Sequence, residues 1–503
     1  MCAGFPGAEP DASTLSELAA LAPAGLVLFS RNVSSPEATR ALVAAACAAS
    51  GPQTFVAIDQ EGGRVARLRS GFRPIPSMMA LGACGDAGLA ERLGTTIALD
   101  LARVGSNVDF APVLDLALEP ANTVIGTRSF GDDPVRAGVL GSALVRGLQG
   151  AGIVATLKHF PGHGATKLDS HRALPQLETD AATLHRRELV PFAAAIAQGA
   201  RAVMSAHILV PALDAEFPAT LSRPILNDLL RGELGFRGVC FTDALEMAAL
   251  ADSVGSARAA VLAIAAGADC VVASEGLELA RSVCSALRVA VESGELPLAR
   301  LREAAARTAR LREGLPCAAS SEAFAARTDD DPGMLVARGA ITLLRGSAGL
   351  DSERAVSIVS FEGSEFDGAG GGGGGDRPSL NLALRRRRLK SESLRVPLDP
   401  EPEMIAHLLE VLEKLNHQLV LVMRRAHLYD GQRAAVKALL GAVPQAVAVS
   451  ALEPFDAPLA MRARGILCTY GDDECAIEAL ADVLSGRATA TGTLPVRLEW
   501  PKP

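Results

Sequence analysis

The feature that most constrains this chain is a theme repeated up to about residue 315: a short apolar run, often β-branched, then Gly-rich and polar residues, then an Ala/Leu/Arg stretch of amphipathic helical length. The runs fall at residues 25–29, 55–58, 108–113, 153–157, 202–204, 238–241 and 270–273. Strands alternating with helices predict a parallel sheet covered by helices, and this length suits a (β/α)8 TIM-like barrel. Helical patterning ends near residue 314, and residues 316–335, with Pro316, Ser320, Ser321 and Asp329 to Gly333, read as a linker. A smaller alternation comes after it, with strands expected at 356–359, 419–422, 446–449 and 465–468 and helices at 401–416, 431–440 and 475–485. That pattern predicts a C-terminal three-layer α/β/α sandwich. The expected organisation is a barrel over 1–315, the linker, and the sandwich over 336–503. Two cores also suit 503 residues better than one.

Charge and cysteine usage narrow the function classes. A formal net charge of -8 gives no electrostatic footprint for nucleic acid or an anionic membrane. Arg385 to Arg388 are a local exception, but no aromatic residues interleave with them, so they read as a solvated face. Nine scattered cysteines without C-x-x-C spacing point to a reducing compartment and argue against a cysteine-held zinc. With no uninterrupted apolar span and no basic-then-apolar N-terminus, a cytoplasmic enzyme is the expectation. The glycines from Gly370 to Gly375 lack the strand and the Lys-Ser/Thr ending of a phosphate-binding loop, and read as a flexible tip.

Chemically loaded residues cluster where the barrel runs end. Asp59, Gln60 and Glu61 follow the second run, Asp115 the third, Lys158 and His159 the fourth, His207 the fifth and Asp243 the sixth. A barrel brings all its strand C-termini to one face, so these groups are expected to converge on one pocket. The densest stretch is Lys158-His159-Phe160-Pro161-Gly162-His163-Gly164, succeeded by Asp169-Ser170-His171, and it reads as a loop leaving a buried strand. His159 and His163 have the i, i+4 spacing of helical zinc sites, but Pro161 and Gly162 break the helix such a site needs. No metal and no cofactor is expected. Asp243 admits two readings: a helix N-cap with Glu246 closing a capping box, or a carboxylate with a catalytic task. A carboxylate nucleophile opposite a proton donor is what cleavage of a glycosidic bond requires.

Four motifs in order resemble glycoside hydrolase family 3, in its β-N-acetylglucosaminidase branch: Ala57 to Val65 with Arg67; Val124 to Gly131; the Lys-His-Phe-Pro-Gly-His-Gly loop with Asp-Ser-His; and Phe241-Thr242-Asp243-Ala244-Leu245-Glu246-Met247. Together they cover most of the expected barrel. The resemblance implies that Asp243 is the nucleophile, that His171 is general acid and then base, and that Asp169 orients His171 and raises its proton affinity. It implies that Asp59, Arg67, Arg128, Lys158 and His159 hold the sugar. His163 would shape the loop, Glu61 would belong to a structural network at the strand end, and His207 is a weak pocket-lining candidate. Relatives that take a glutamate acid from the second domain lack the Asp-Ser-His element, so here the second domain is expected to be dispensable for proton transfer.

The implied activity is a retaining exo-β-N-acetylhexosaminidase releasing terminal β-linked N-acetylglucosamine, with peptidoglycan fragments as the expected source. Its implied partner is a carbohydrate, with neither nucleic acid nor membrane involved. Retention places the two catalytic groups within about 5 to 6 Å of each other in the closed state, and because Asp169 and His171 sit on a loop with Gly162 and Gly164 as hinges, the distance is expected to be longer without substrate. A phosphorylase using the same residues, a β-glucosidase or β-xylosidase, and a non-catalytic sugar-binding protein are the alternatives.

Overall fold

The computed structural model describes residues 1–166, 174–315, 330–363 and 378–500. Eight parallel strands close into a barrel: Cys2–Gly4 (β1), Gly25–Leu28 (β2), Phe55–Ile58 (β3), Val108–Asp109 (β4), Val154–Phe160 (β5), Ala202–Ser205 (β6), Val239–Ala244 (β7) and Cys270–Ala273 (β8). Neighbours in the ring follow chain order, and β1 closes it by pairing with β2 on one side and β8 on the other. All seven expected runs carry strands, and Cys2–Gly4 is an eighth that the apolar pattern does not announce.

The pleat divides each strand between two cores. Val27, Phe55, Ala57, Val154, Ala202, Met204, Val239, Phe241, Cys270 and Val272 point inward and fill the barrel. Their neighbours Leu26, Leu28, Val56, Ile58, Ala155, Leu157, Val203, Cys240 and Val271 point outward against the helices. This two-sided burial is why the strands read as continuous apolar runs. Inside, the Phe241 ring packs edge-on against Phe55 and Phe110, with centroids 5.8 and 5.4 Å away. Several of the helices start on side-chain caps that the sequence supplies at the right places, among them Ser35 before Pro36, Asp86 before Ala87, and Asp133 before Pro134.

The second sheet has six strands: Thr342–Gly346 (β9), Val356–Glu362 (β10), Ser391–Pro397 (β11), Gln418–Met423 (β12), Val447–Ser450 (β13) and Gly465–Cys468 (β14). Their order is β9-β14-β13-β12-β10-β11, all parallel except β9, which runs antiparallel to β14. The three expected helices appear as Pro402–Leu415, Asp430–Ala442 and Glu474–Leu484. A further helix, Pro332–Ala340, occupies the last residues read as linker. The arginine run is only partly a solvated face, because Arg386 and Arg387 pair with Glu478, and Arg387 also with Asp482. The glycine-rich stretch around Gly370 lies outside the described residues. Among the described residues, no helix is long and apolar enough to cross a membrane.

Candidate active site

A cavity of about 470 Å³ opens at the C-terminal ends of the barrel strands. Asp59, Glu61, Arg67, Arg128, Lys158, His159, His163, Asp243 and Glu246 all line it. The barrel thus brings together every sugar-contacting candidate except His207, along with the expected nucleophile. Asp169 and His171 lie outside the described residues.

The floor is an interlocked set of charges. Lys158 Nζ bridges Asp59 at 2.7 Å and Glu61 at 2.5 Å. Arg67 donates to the other Asp59 oxygen at 3.1 Å, and Arg128 forks onto Glu61 at 2.7 and 2.8 Å. The two carboxylates differ in reach, since the Asp59 side chain keeps 15% of its surface and that of Glu61 only 1%. Asp59 is therefore the one that opens onto the cavity, while Glu61 is enclosed with its cations. Burial pushes both carboxyls up, but Lys158 and Arg67 outweigh it and hold Asp59 well below the usual range, while Arg128 and Lys158 hold Glu61 at about 2. Burial pushes the neighbouring Asp109 carboxyl up to about 8.

Strand β5 runs through Lys158 and His159 to Phe160, so these two polar residues belong to the strand rather than to the loop after it. The Lys158–His159 peptide is cis. Asp115 organises the turn beyond that strand. Its Oδ2 accepts from the backbone N–H of His159 at 3.1 Å and lies 2.6 Å from His159 Nδ1, while Oδ1 accepts from the His163 N–H at 2.6 Å. With Nδ1–H held by Asp115, His159 Nε2 accepts from Arg128, 3.3 Å away. Burial lowers His163 to about 4, so that ring is neutral, with its Nδ1 2.7 Å from Thr166 Oγ1. Gly164 packs against the Leu116 backbone so closely that a Cβ would stand 1.7 Å from the Leu116 carbonyl oxygen. Close approach, rather than hinging, is what requires glycine there.

Asp243 sits in β7, and its Oδ1 accepts from the Ala244 N–H at 2.8 Å. The capping-box reading does not hold: the next helix, Ala248–Ala251, begins after Met247, and Glu246 instead accepts from the Ser274 N–H at 2.8 Å. Burial raises the Glu246 carboxyl, whose second oxygen has no partner among the described residues. Among the described residues, those that line the cavity do not include His207. Its Nε2–H donates to the Ala244 carbonyl at 2.9 Å, at the end of β7, and its Nδ1 lies 2.8 Å from Thr220 Oγ1. Sequence reasoning assigns no site role to Asp115, Asp109 or Glu246, although Asp115 is visible among the strand-end carboxylates and Glu246 within the motif of Asp243.

Residues 5–311 match the family model described as "Glycosyl hydrolase family 3 N terminal domain". A β-hexosaminidase of Chromobacterium violaceum is 40% identical over 291 residues, covering 57% of this chain and 80% of that protein. A β-hexosaminidase of Pseudomonas aeruginosa is 45% identical over 247 residues, covering 49% and 73%. A solved glycoside hydrolase family 3 β-N-acetylglucosaminidase from Paenibacillus sp. str. FPU-7 superposes with a TM-score of 0.92 at 36% identity, over 99% of this chain and 97% of that one.

Proposed function

The chain belongs to glycosyl hydrolase family 3, and from that membership we propose that it is a retaining exo-β-N-acetylhexosaminidase releasing terminal β-linked N-acetylglucosamine, with peptidoglycan fragments as its source. The observation that carries the proposal is the meeting of Asp243 with the Asp59, Lys158 and Arg67 cluster in one cavity. The names of its relatives and the near-complete overlap with the Paenibacillus enzyme support the sugar.

The reaction runs in two displacements. The Asp243 carboxylate, steadied by the Ala244 N–H, attacks the anomeric carbon; the bond to the leaving oxygen breaks, and that oxygen takes a proton from His171. His171, oriented by Asp169, then removes a proton from water as the water attacks the glycosyl ester, and Asp243 leaves as carboxylate. Asp59 accepts sugar hydroxyl protons, with Lys158 and Arg67 donating beside it. Arg128 and His159 hold the inner wall, and Asp115 fixes the His159 tautomer. Proton transfer uses the barrel alone.

The test is turnover of nitrophenyl β-N-acetylglucosaminide beside the β-glucoside, with and without inorganic phosphate. Preference for the acetamido sugar with free N-acetylglucosamine as product supports the proposal. A sugar phosphate as product makes the protein a phosphorylase, and preference for the glucoside overturns the sugar assignment.

A further inference from the structure

The second sheet reaches the cavity through a part of the barrel that contains a single substrate candidate, Arg128. Residues 119–128 run from beyond β4 to Arg128, and side chains from the C-terminal ends of β12 and β13 hold them. Arg425, just after β12, forks onto Glu453, which comes after β13, at 2.8 and 3.1 Å, and the two side chains are only 6% and 4% exposed. Arg425 Nη2 also donates to the Thr123 carbonyl at 3.3 Å, and Arg64 of the barrel donates to the same oxygen at 3.3 Å. His427, its Nδ1 2.7 Å from Asp456, donates through Nε2 to the Pro120 carbonyl at 3.1 Å.

Two backbone details show how closely the parts fit. Gly126 has φ +43 and lies so flat against Glu453 that a Cβ would stand 2.0 Å from Oε1. Arg425 itself sits at φ +54, a left-handed conformation that non-glycine residues adopt only where the surroundings enforce it. Glu453 faces two guanidinium groups, Arg425 and Arg64, which hold its carboxyl at about 2 against the opposing effect of burial.

The clamped residues connect to the site at both ends. Arg128 Nη1 donates to the Val124 carbonyl at 3.1 Å while its other nitrogens hold Glu61 and meet His159. Asn122 Nδ2 donates to the His163 carbonyl at 3.0 Å, and Asn122 Oδ1 accepts from the Ile125 N–H at 3.0 Å. One short segment thus joins the second domain to the inner wall of the cavity and to the root of the histidine loop.

We infer that Arg425 and Glu453 are positioning residues for the sugar site: the second domain clamps residues 119–128 and thereby sets Arg128 and the His163 turn in their working geometry. The consequence for sugar binding rests on the proposed glycosidase function; the clamp does not. Loosening it removes binding made equally in ground and transition states, which raises KM more than it lowers kcat.

The experiment compares wild type with Arg425→Ala and Arg425→Lys in the full chain. Amide hydrogen exchange is read over residues 119–128, and kcat and KM are measured on nitrophenyl β-N-acetylglucosaminide. Arg425→Ala is expected to exchange about tenfold faster there and to raise KM about tenfold with kcat within about threefold, with Arg425→Lys between the two. Unchanged protection overturns the clamp; lost protection with wild-type KM overturns its role at the site. If Arg425→Ala does not fold, Arg425→Lys and His427→Asn, whose shorter amide can still meet Asp456 but loses the Pro120 bond, carry the same two outcomes. A wild type inactive on this glycoside refutes the proposed function alone, and hydrogen exchange still decides the clamp.

Discussion

Lys158 is shared by both carboxylates of the cavity floor, and replacing it with methionine keeps most of the side-chain length while removing the charge. The residue is 2% exposed and holds two carboxylates at once, at 2.7 and 2.5 Å. Glu61 drops from an ordinary 4.5 to about 2, against burial, because of Arg128 and then Lys158. At about 1.36 kcal/mol per pH unit, that drop corresponds to about 3 kcal/mol of stability at neutral pH. Asp59 is depressed as well, with Lys158 the foremost cation opposing its burial. Both folded-state values lie below the unfolded ones, so this stability is present above the unfolded pKa and is lost as pH falls through the folded one. For Glu61 the window runs from 4.5 down to about 2. Without Lys158, two buried carboxylates face each other with one guanidinium apiece, and the expected loss at pH 7 is about 3–5 kcal/mol, as for a broken buried ion pair. The same loss raises both carboxyls, so the variant recovers as they take up protons on acidification. The gap from wild type should therefore be widest at pH 7 and narrower near pH 4.5. Urea unfolding monitored by circular dichroism at the two pH values measures it. A gap under about 1 kcal/mol at pH 7, or one equal at both pH values, would refute the reasoning.

Asp243→Asn should reduce turnover by on the order of ten-thousand-fold or more while leaving the thermal midpoint near wild type; substantial activity would remove Asp243 from the nucleophile role. His171→Ala should slow alkyl glycosides by about a hundredfold or more but nitrophenyl glycosides far less, because the nitrophenolate needs little protonation; equal losses on both would contradict a general acid there. Gly164→Ala drives a methyl group into the Leu116 carbonyl and should cost about 3 kcal/mol or more, seen as a lowered thermal midpoint. A midpoint unchanged by that substitution would mean the histidine turn is looser than its contacts imply.

Sequence is most legible where a structural signal is local. Barrel strands are apolar on both faces, so each of the seven runs marks a strand, whereas Cys2–Gly4 is three residues long and too short to register as a run. The third run extends to residue 113 by its apolar pattern, but its strand is only Val108–Asp109; Pro112 lacks the N–H that a ladder needs. Strands β9 and β11 give no such signal for the opposite reason. They are the two edges of the second sheet, and exposed residues such as Leu343, Arg345 and Arg395 make their patterns polar and irregular. Polarity also misleads at β5: Lys158 and His159 look like the start of a loop, yet each finds a buried carboxylate, and the strand continues through them. Strand-end charges mark Asp59, Lys158 and Asp243 because a barrel sends them to one face whatever the rest of the chain does. His207 is marked by the same rule, and what the structure adds is its bond to the Ala244 carbonyl at the end of β7. Nothing local marks Arg425 or Glu453. Arg425 meets Thr123 across 302 residues of sequence, and only the packing of one domain on the other makes that carbonyl its partner. A site whose ligands are legible strand by strand can therefore still depend on a support that no motif contains, and the segment from Pro120 to Arg128 is where that dependence is concentrated.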